Sequence, residues 1–454
     1  MHHASGFWMD RVLLPEGWAR SVRIAVEHGR IASIGIGEAA QAGDARIGIA
    51  VPGLPNLHSH AFQRGMAGLT EIGGASGDNF WSWRGLMYRF VERLSPEGVQ
   101  AIAALAYAEM LESGFTRVGE FHYLHHDSGG RPYAQRAEMA ARIAQAASET
   151  GIALSLLPVF YAHSGFGAQP PLPAQARLIC DVDGFAALLE DSRRAIAELP
   201  EAVLGIAPHS LRAVSPEELR RILPLTEGPI HIHIAEQTGE VDACVAWSGK
   251  RPVQWLFDNA DVDARWCLVH ATHIDAAELA AIVESRAVVG LCPITEANLG
   301  DGIFPAREFI PRGGRFGVGS DSNVLIDAAE ELRLLEYGQR LTHRGRNVLT
   351  PEPAVSSGRH LFEAALNGGA QALGVKAGLR VGAAADFVEL DSGHVALASR
   401  QGDALLDGWL FAARGGAVRH VWRRGEKVVE HGRHIHRERI EAAYRTTLES
   451  LLRD

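Results

Sequence analysis

The chain has almost no lysine. Three occur in 454 residues, at Lys250, Lys376 and Lys427, so arginine carries nearly all the positive charge. Acidic residues still outnumber basic ones, and the formal net charge of −10 argues against a nucleic-acid partner. The four cysteines (Cys180, Cys244, Cys267, Cys292) are scattered with no C-x-x-C pair, which predicts reduced thiols in the cytoplasm rather than a disulfide framework. No apolar run is long enough to span a bilayer, so no membrane role is expected. The N-terminus lacks a basic segment followed by an apolar one, so no signal peptide is read there, and His2 and His3 read as tail residues. No internal repeat, low-complexity segment or glycine-rich dinucleotide fingerprint is present.

What is present is an alternation. From about residue 52 to 375, apolar β-branched runs alternate with Ala/Leu/Glu/Arg-rich helical stretches. The runs are Phe115–Tyr123, Ala153–Tyr161, Val203–Ala207, Pro229–Ala235, Trp266–Ala271, Ala287–Leu291 and Phe316–Gly319. Helical stretches include Pro96–Ser113, Arg136–Thr150, Val182–Leu199, Pro216–Leu225 and Glu278–Glu284. Continuous apolar strands separated by helices imply a parallel sheet covered on both faces. With the strand that enters His58 there are eight such units, which predicts a (β/α)8 TIM barrel. A doubly wound sheet would also put ligands at strand ends, but it lacks its fingerprint here. Both ends of the chain read differently, as short strands between turns: Phe7–Leu14, Val22–Glu27 and Arg30–Ile36, then Ala385–Asp391, Val418–Trp422 and Lys427–Gly432. Neither end can close a core alone. The expected architecture is therefore α/β, with a small β-sandwich from residues 1–50 and 378–435, a barrel over 51–377 and a C-terminal helix over 436–454.

The stretch Val51-Pro-Gly-Leu-Pro-Asn-Leu-His-Ser-His60 carries an apolar run into a turn and delivers two histidines at i and i+2. In a strand those positions share a face, so one ion can take both imidazoles. Alone, the pair reads equally well as turn-capping residues. Later strand ends supply partners: His233, His270, and Asp321 in Gly317-Val-Gly-Ser-Asp-Ser-Asn323. Imidazole and carboxylate together suit zinc or a neighbouring first-row metal. Glu236 follows His233 by three residues, where a carboxylate could move protons for a metal-activated water. Its bland reading is a helix N-terminal acid. Arg84 and Arg212 are candidate forks for substrate carboxylates, against the ordinary expectation that an arginine is a solvated surface residue. His122, His125, His126, His163 and His273 also fall after strands and read as structural. The Gly/Ala/Pro-rich segment Ser164–Ala176 reads as a loop on the same rim.

Pro-Gly-Leu-Pro-Asn-Leu-His58-Ser-His60, the His233 strand, Val-His270 and Gly-Ser-Asp321 resemble the metal-dependent amidohydrolase superfamily over nearly the whole chain. The resemblance implies a distorted barrel with a terminal β-sandwich. Narrower stretches are Gly119-Glu-Phe-His-Tyr-Leu-His-His126, Tyr161-Ala-His-Ser-Gly-Phe-Gly167, His231-Ile-His-Ile-Ala-Glu-Gln-Thr-Gly-Glu-Val241 and Leu335-Glu-Tyr-Gly-Gln-Arg-Leu341. They resemble the branch that deiminates N-formimino-L-glutamate in histidine degradation, leaving N-formylglutamate and ammonia. This resemblance implies His58, His60, His233 and Asp321 as ligands of one divalent metal. It implies Glu236 and His270, with Asp321, as catalytic, and Gln63, Arg84, Tyr123, His209 and Arg212 as contacts to a small dicarboxylate substrate. It also implies a homodimer. Binuclear members of the superfamily bridge two ions with a carbamylated lysine, and none of the three lysines lies at a strand end.

Two other readings differ in class. A nucleobase deaminase or triazine chlorohydrolase would share the metal set but need no pair of carboxylate-binding arginines. A non-catalytic barrel scaffold would need neither the intact ligand set nor Glu236.

Overall fold

The computed structural model describes residues 6–71, 80–350 and 355–453, so His2 and His3 lie outside the described residues. Two ends of the chain meet in one sheet. Its N-terminal strands are β1 (Gly6–Leu14), β2 (Gly17–Glu27), β3 (Arg30–Ile36) and β4 (Ala45–Pro52). The barrel staves follow: β5 (Leu54–Ser59), β6 (Phe115–His122), β7 (Ala153–Phe160), β8 (Val203–Leu204), β9 (Ala207–Pro208), β10 (Ile230–Ile234), β11 (Trp266–His270), β12 (Val288–Leu291) and β13 (Arg315–Val318). The C-terminal strands are β14 (Phe387–Leu390), β15 (Val418–Arg423), β16 (Glu426–Glu430) and β17 (Arg433–His434). The terminal sheet has the order β17-β16-β15-β14-β4-β1-β2-β3, with β14 antiparallel to β4 and thereby joining the two chain ends. Its apolar side packs around Phe7, Met9, Phe387 and Trp422.

Every pair of neighbouring barrel staves is parallel. Single bridges close the ring: Ser59 with Asp321, Ile206 with Ile230, and Ser210 with His233. Apart from β8 and the first residue of β13, the strands are buried along their length because helices cover the outside. Helix Pro96–Ser113 is representative. Ser95 caps it by accepting from Gly98 N–H, and Gly114 ends it in a left-handed turn. The C-terminal helix Arg437–Leu452 returns to pack on it, with Arg437 reaching Glu112 at 2.7 Å and Glu109 at 3.1 Å.

Three details go beyond the sequence reading. The apolar run Ile47–Val51 belongs to β4 of the terminal sheet, and the histidines ride on a separate strand, β5, after Gly53. The run Val203–Ala207 splits into β8 and β9, both paired to β7. A β-carbon on the intervening Gly205 would come within 2.4 Å of the Pro229 carbonyl oxygen, so the chain can cross there only as glycine. Helix Ser357–Ala372 carries Gly358, Gly368 and Gly369, a composition poor for a helix. The reason is packing: a β-carbon at 368 would lie 1.8 Å from the Phe316 carbonyl oxygen, so glycine lets this helix press directly on β13.

Candidate active site

All the chemistry-bearing residues lie at one end of the barrel, past the carboxyl ends of the strands. His58 is in β5 and His60 one residue beyond it. His233 is in β10, His270 ends β11, and Asp321 follows β13. The bridge between Ser59 and Asp321 brings the two ends of the sheet together here. Gly319 permits it, since a β-carbon there would sit 2.7 Å from both the backbone N and O of His58. Several strands end in residues with left-handed backbone that are not glycine: Ala235 (φ 50°), His270 (φ 68°), Ala271 (φ 47°) and Asp321 (φ 43°). Each costs on the order of 1 kcal/mol and turns the following residues over the barrel mouth.

The donor atoms converge. Asp321 Oδ1 is 3.3 Å from both His58 Nε2 and His60 Nε2, and His233 Nε2 is 3.0 Å from His58 Nε2. The ligand atoms of these four buried residues all lie within 4.8 Å of one another. Backbone carbonyls set two of the tautomers. His60 Nδ1 donates to the Phe121 carbonyl at 3.0 Å, and His233 Nδ1 donates to that of His209 at 3.1 Å. Each Nε2 is thereby left with its lone pair facing the cluster. Burial pushes His58 down to about 3 and also lowers His60 and His233, so the imidazoles stay neutral. Three neutral nitrogens and a carboxylate crowded at these distances fit a divalent cation, whose charge relieves the conflict between facing lone pairs. A neighbouring trio, His270, Cys292 and Asp321, also groups. Burial and the nearby carboxylates hold the Cys292 thiol well above its usual range.

Around this cluster the groups divide by charge. Burial drives Glu236 up to about 7, against the pull of His270 and Arg212. Its backbone N–H donates to Glu240 Oε2 at 3.1 Å. For His270 burial opposes the charge, but Glu236, Glu296 and Asp321 together raise it to about 10. Its Nδ1 faces Glu296 Oε1 at 3.2 Å, and its Nε2 stands 3.8 Å from Asp321 Oδ2 and 3.9 Å from Glu236 Oε1. An imidazolium held this way keeps one N–H directed at the barrel mouth.

One pocket is lined by His60, Gln63, Arg84, Tyr123, His209, Arg212, His233, Glu236, His270 and Asp321, with His58 fully buried beneath them. The structure thus brings together all eleven residues singled out in the sequence. Gln63 donates through Nε2 to the Tyr123 hydroxyl at 2.7 Å, while its buried Oε1 has no protein partner. His209 packs against Tyr161 in a tilted arrangement, with ring centroids 4.4 Å apart and planes at 51°. Arg84 comes from helix Phe80–Glu92 and lies over the Tyr88 ring at 5.7 Å. Four of the five other post-strand histidines bond the framework, while His122 is buried with its Nε2 unpartnered. His125 and His126 face the Val159 and Ile179 carbonyls, His163 pairs with Glu218 at 2.8 Å, and His273 faces the Asp301 carbonyl.

Sequence reasoning missed Glu296, Asp301, Tyr88, Tyr161 and Trp83. Glu296 had a signal: it is an acid in the first turn after β12, in Cys292-Pro-Ile-Thr-Glu296. Asp301 had none. Burial, with the nearby Glu236, drives it up to about 9 against the pull of His270, and Gln237 Nε2 donates to it. None of the lysines reaches the mouth. Lys250 pairs with Asp258, Lys427 with Glu430 in β16, and Lys376 lines a cleft between the barrel and the terminal sheet.

The chain belongs to the amidohydrolase family, whose model matches residues 49–428. Within that family it groups with the formimidoylglutamate deiminases. The model for the N-terminal domain of formimidoylglutamate deiminase HutF matches residues 8–48. The chain is 53% identical to the formimidoylglutamate deiminase of Pseudomonas aeruginosa over 99% of its own length and 100% of that protein's. The crystal structure of an amidohydrolase from Brucella melitensis superposes with a TM-score of 0.96 at 54% identity, covering 99% of this chain and 100% of that one. An adenosine deaminase from Xanthomonas campestris, solved with bound zinc, shares the fold at a TM-score of 0.80 and 22% identity, over 98% of each chain. Among the described residues no helix is long and apolar enough to cross a membrane.

Proposed function

We propose that this chain hydrolyses N-formimino-L-glutamate to N-formyl-L-glutamate and ammonia, as a step of histidine degradation. The observation that carries the reading is one pocket with two ends of different chemistry. Arg84 and Arg212 face the same space as Glu236 and the His58–His60–His233–Asp321 cluster. The substrate has two carboxylates and a formimino carbon, and arginine forks match carboxylates.

His58, His60, His233 and Asp321 would hold one divalent ion, zinc in this reading, which would supply Lewis acidity toward a water at the site. Glu236, with its carboxyl raised to about 7, accepts a proton from that water. Asp321 orients the water through Oδ2, the oxygen that faces His270 rather than His58 and His60. The new bond forms between the water oxygen and the formimino carbon. His270 hydrogen-bonds from Nε2 to the attacking oxygen, while the C=N electron pair moves onto the terminal nitrogen of the protonated formimino group. Glu236 then returns its proton to the terminal nitrogen, Asp321 takes the remaining hydroxyl proton as the formyl C=O forms, the C–N bond breaks and ammonia leaves. Gln63, Tyr123 and His209 contact the substrate between its two ends.

The same reading divides the chain into a terminal unit (1–50 with 378–435), the barrel (51–377) and a closing helix (436–454). It includes a cytoplasmic homodimer; the four unpaired cysteines, all buried, suit a reducing compartment. Steady-state ammonia release from formiminoglutamate by the purified, metal-loaded protein tests the function. Turnover at least 10²-fold above that of guanine or cytosine is expected, and preference for a neutral ring would replace the reading with the nucleobase-deaminase one.

A further inference from the structure

The rim loop between β7 and β8 contributes a buried side chain that the reaction above does not use. Gln175, in the short turn Pro173–Gln175, is fully buried and does not line the pocket. Its Oε1 accepts the Leu172 backbone N–H at 2.7 Å, which settles which end of the amide is oxygen. Its Nε2 therefore points at the pocket wall, where it donates to the Tyr161 hydroxyl at 2.9 Å and to the Tyr88 hydroxyl at 3.2 Å. Both phenols line the pocket. They are also bonded to each other, and the Tyr161 hydroxyl is within electrostatic reach of both Arg84 and Arg212.

Counting protons decides what this cluster does. The amide spends its two N–H groups on two phenolic oxygens. Each phenol keeps one proton of its own, and one of those bridges the pair. The second cannot go back to Gln175, whose nitrogen accepts nothing. It is left for the pocket, beside two guanidinium groups. We infer that Gln175 is a positioning residue which, through Tyr88 and Tyr161, presents a phenolic O–H to a substrate carboxylate held by the two arginines. This rests on the dicarboxylate reading of the pocket. The cluster adds to the arginines what charge alone does not: a directional donor of fixed position, set by a loop rather than by a barrel strand.

The test uses Tyr88→Phe/Tyr161→Phe, which removes two hydroxyls and no volume, and the pair Gln175→Met and Gln175→Glu. Each is measured for formiminoglutamate kinetics and for calorimetric binding of glutarate, a plain dicarboxylate. The double phenylalanine variant should raise KM and the glutarate Kd about ten-fold or more with kcat held within a few-fold, as for loss of one hydrogen bond to a charged group. Gln175→Glu should raise both more than Gln175→Met, because its carboxylate draws the phenolic protons back from the pocket. A merely structural glutamine would lower thermal stability in both variants without that order in KM. If the wild type releases ammonia from formiminoglutamate and neither KM nor glutarate affinity responds to the double variant, the inference falls alone. If the wild type releases none but glutarate binding weakens as stated, the donor cluster stands and the deiminase reading falls.

Discussion

Replacing Glu236 with glutamine separates chemistry from binding at this site. The carboxyl is 5% exposed and is driven up to about 7, so near neutrality it can both take and return a proton. Glutamine has the same shape and can do neither. The backbone contact to Glu240 is unaffected, since it runs through the Glu236 N–H. The four donors of the metal cluster and the two arginines are also untouched. Loss of a general acid–base group is worth roughly 10²–10⁴ in rate, or about 3–5 kcal/mol of barrier. We expect kcat for ammonia release to fall by that factor. Metal content, by elemental analysis after gel filtration, and glutarate affinity, by calorimetry, should match the wild type. Near-normal turnover would refute the assignment and leave Glu236 as an acid beside the helix Thr238–Ser248. Loss of metal would refute it in the other direction, by making Glu236 a ligand.

Metal analysis after dialysis should give about one equivalent per chain, because no lysine reaches the barrel mouth; activity that needs two tightly held ions would overturn this. Arg212→Met should lower kcat/KM for formiminoglutamate by roughly 10² or more, the scale of a truncated buried charge pair, and far less for an analogue amidated at the carboxylate it binds. If Arg212→Met and Arg84→Met both work normally, the carboxylate assignment fails. Acid should destabilise the fold through framework histidines in the terminal sheet. Burial holds His420 down to about 4, and burial also lowers His434, whose Nε2 donates to the Thr150 carbonyl while its Nδ1 accepts from His436 N–H. Their folded values lie below the unfolded value of about 6.5, so the unfolded chain takes up protons first and stability is lost as pH falls below 6.5 toward the folded values. Urea melts at pH 6.5 and 5.5 should show a lower stability at the lower pH, and His420→Gln should flatten the difference.

The metal cluster was legible in the sequence because strand ends repeat. Each apolar run ends in a polar residue, and a parallel barrel sends all those ends to one rim. That rule, with no distances, is enough to assemble His58, His60, His233, His270 and Asp321. The eight-unit alternation was legible for the same reason, since continuous apolar strands between helices have few other solutions. Glu236 and Arg212 were within reach because they follow strands by only a few residues.

What lay beyond the sequence depends on contacts between segments far apart in the chain. The glycines of helix Ser357–Ala372 argue against a helix locally and are explained only by its pressing on β13. The break between β8 and β9 comes from the approach of Pro229, and the separation of β4 from β5 from the pairing of β4 with β14, more than 330 residues on. Gln175 reaches Tyr88, 87 residues away, and Tyr161, 14 residues away, and their shared proton count exists only once the loop is folded. Glu296 and Asp301 acquire their roles from burial beside His270 and Glu236, which composition cannot express. Residue type and spacing along one strand determine which chemistry is available. Desolvation and the meeting of loops from separate strands determine which groups hold a proton, and only tertiary structure decides those.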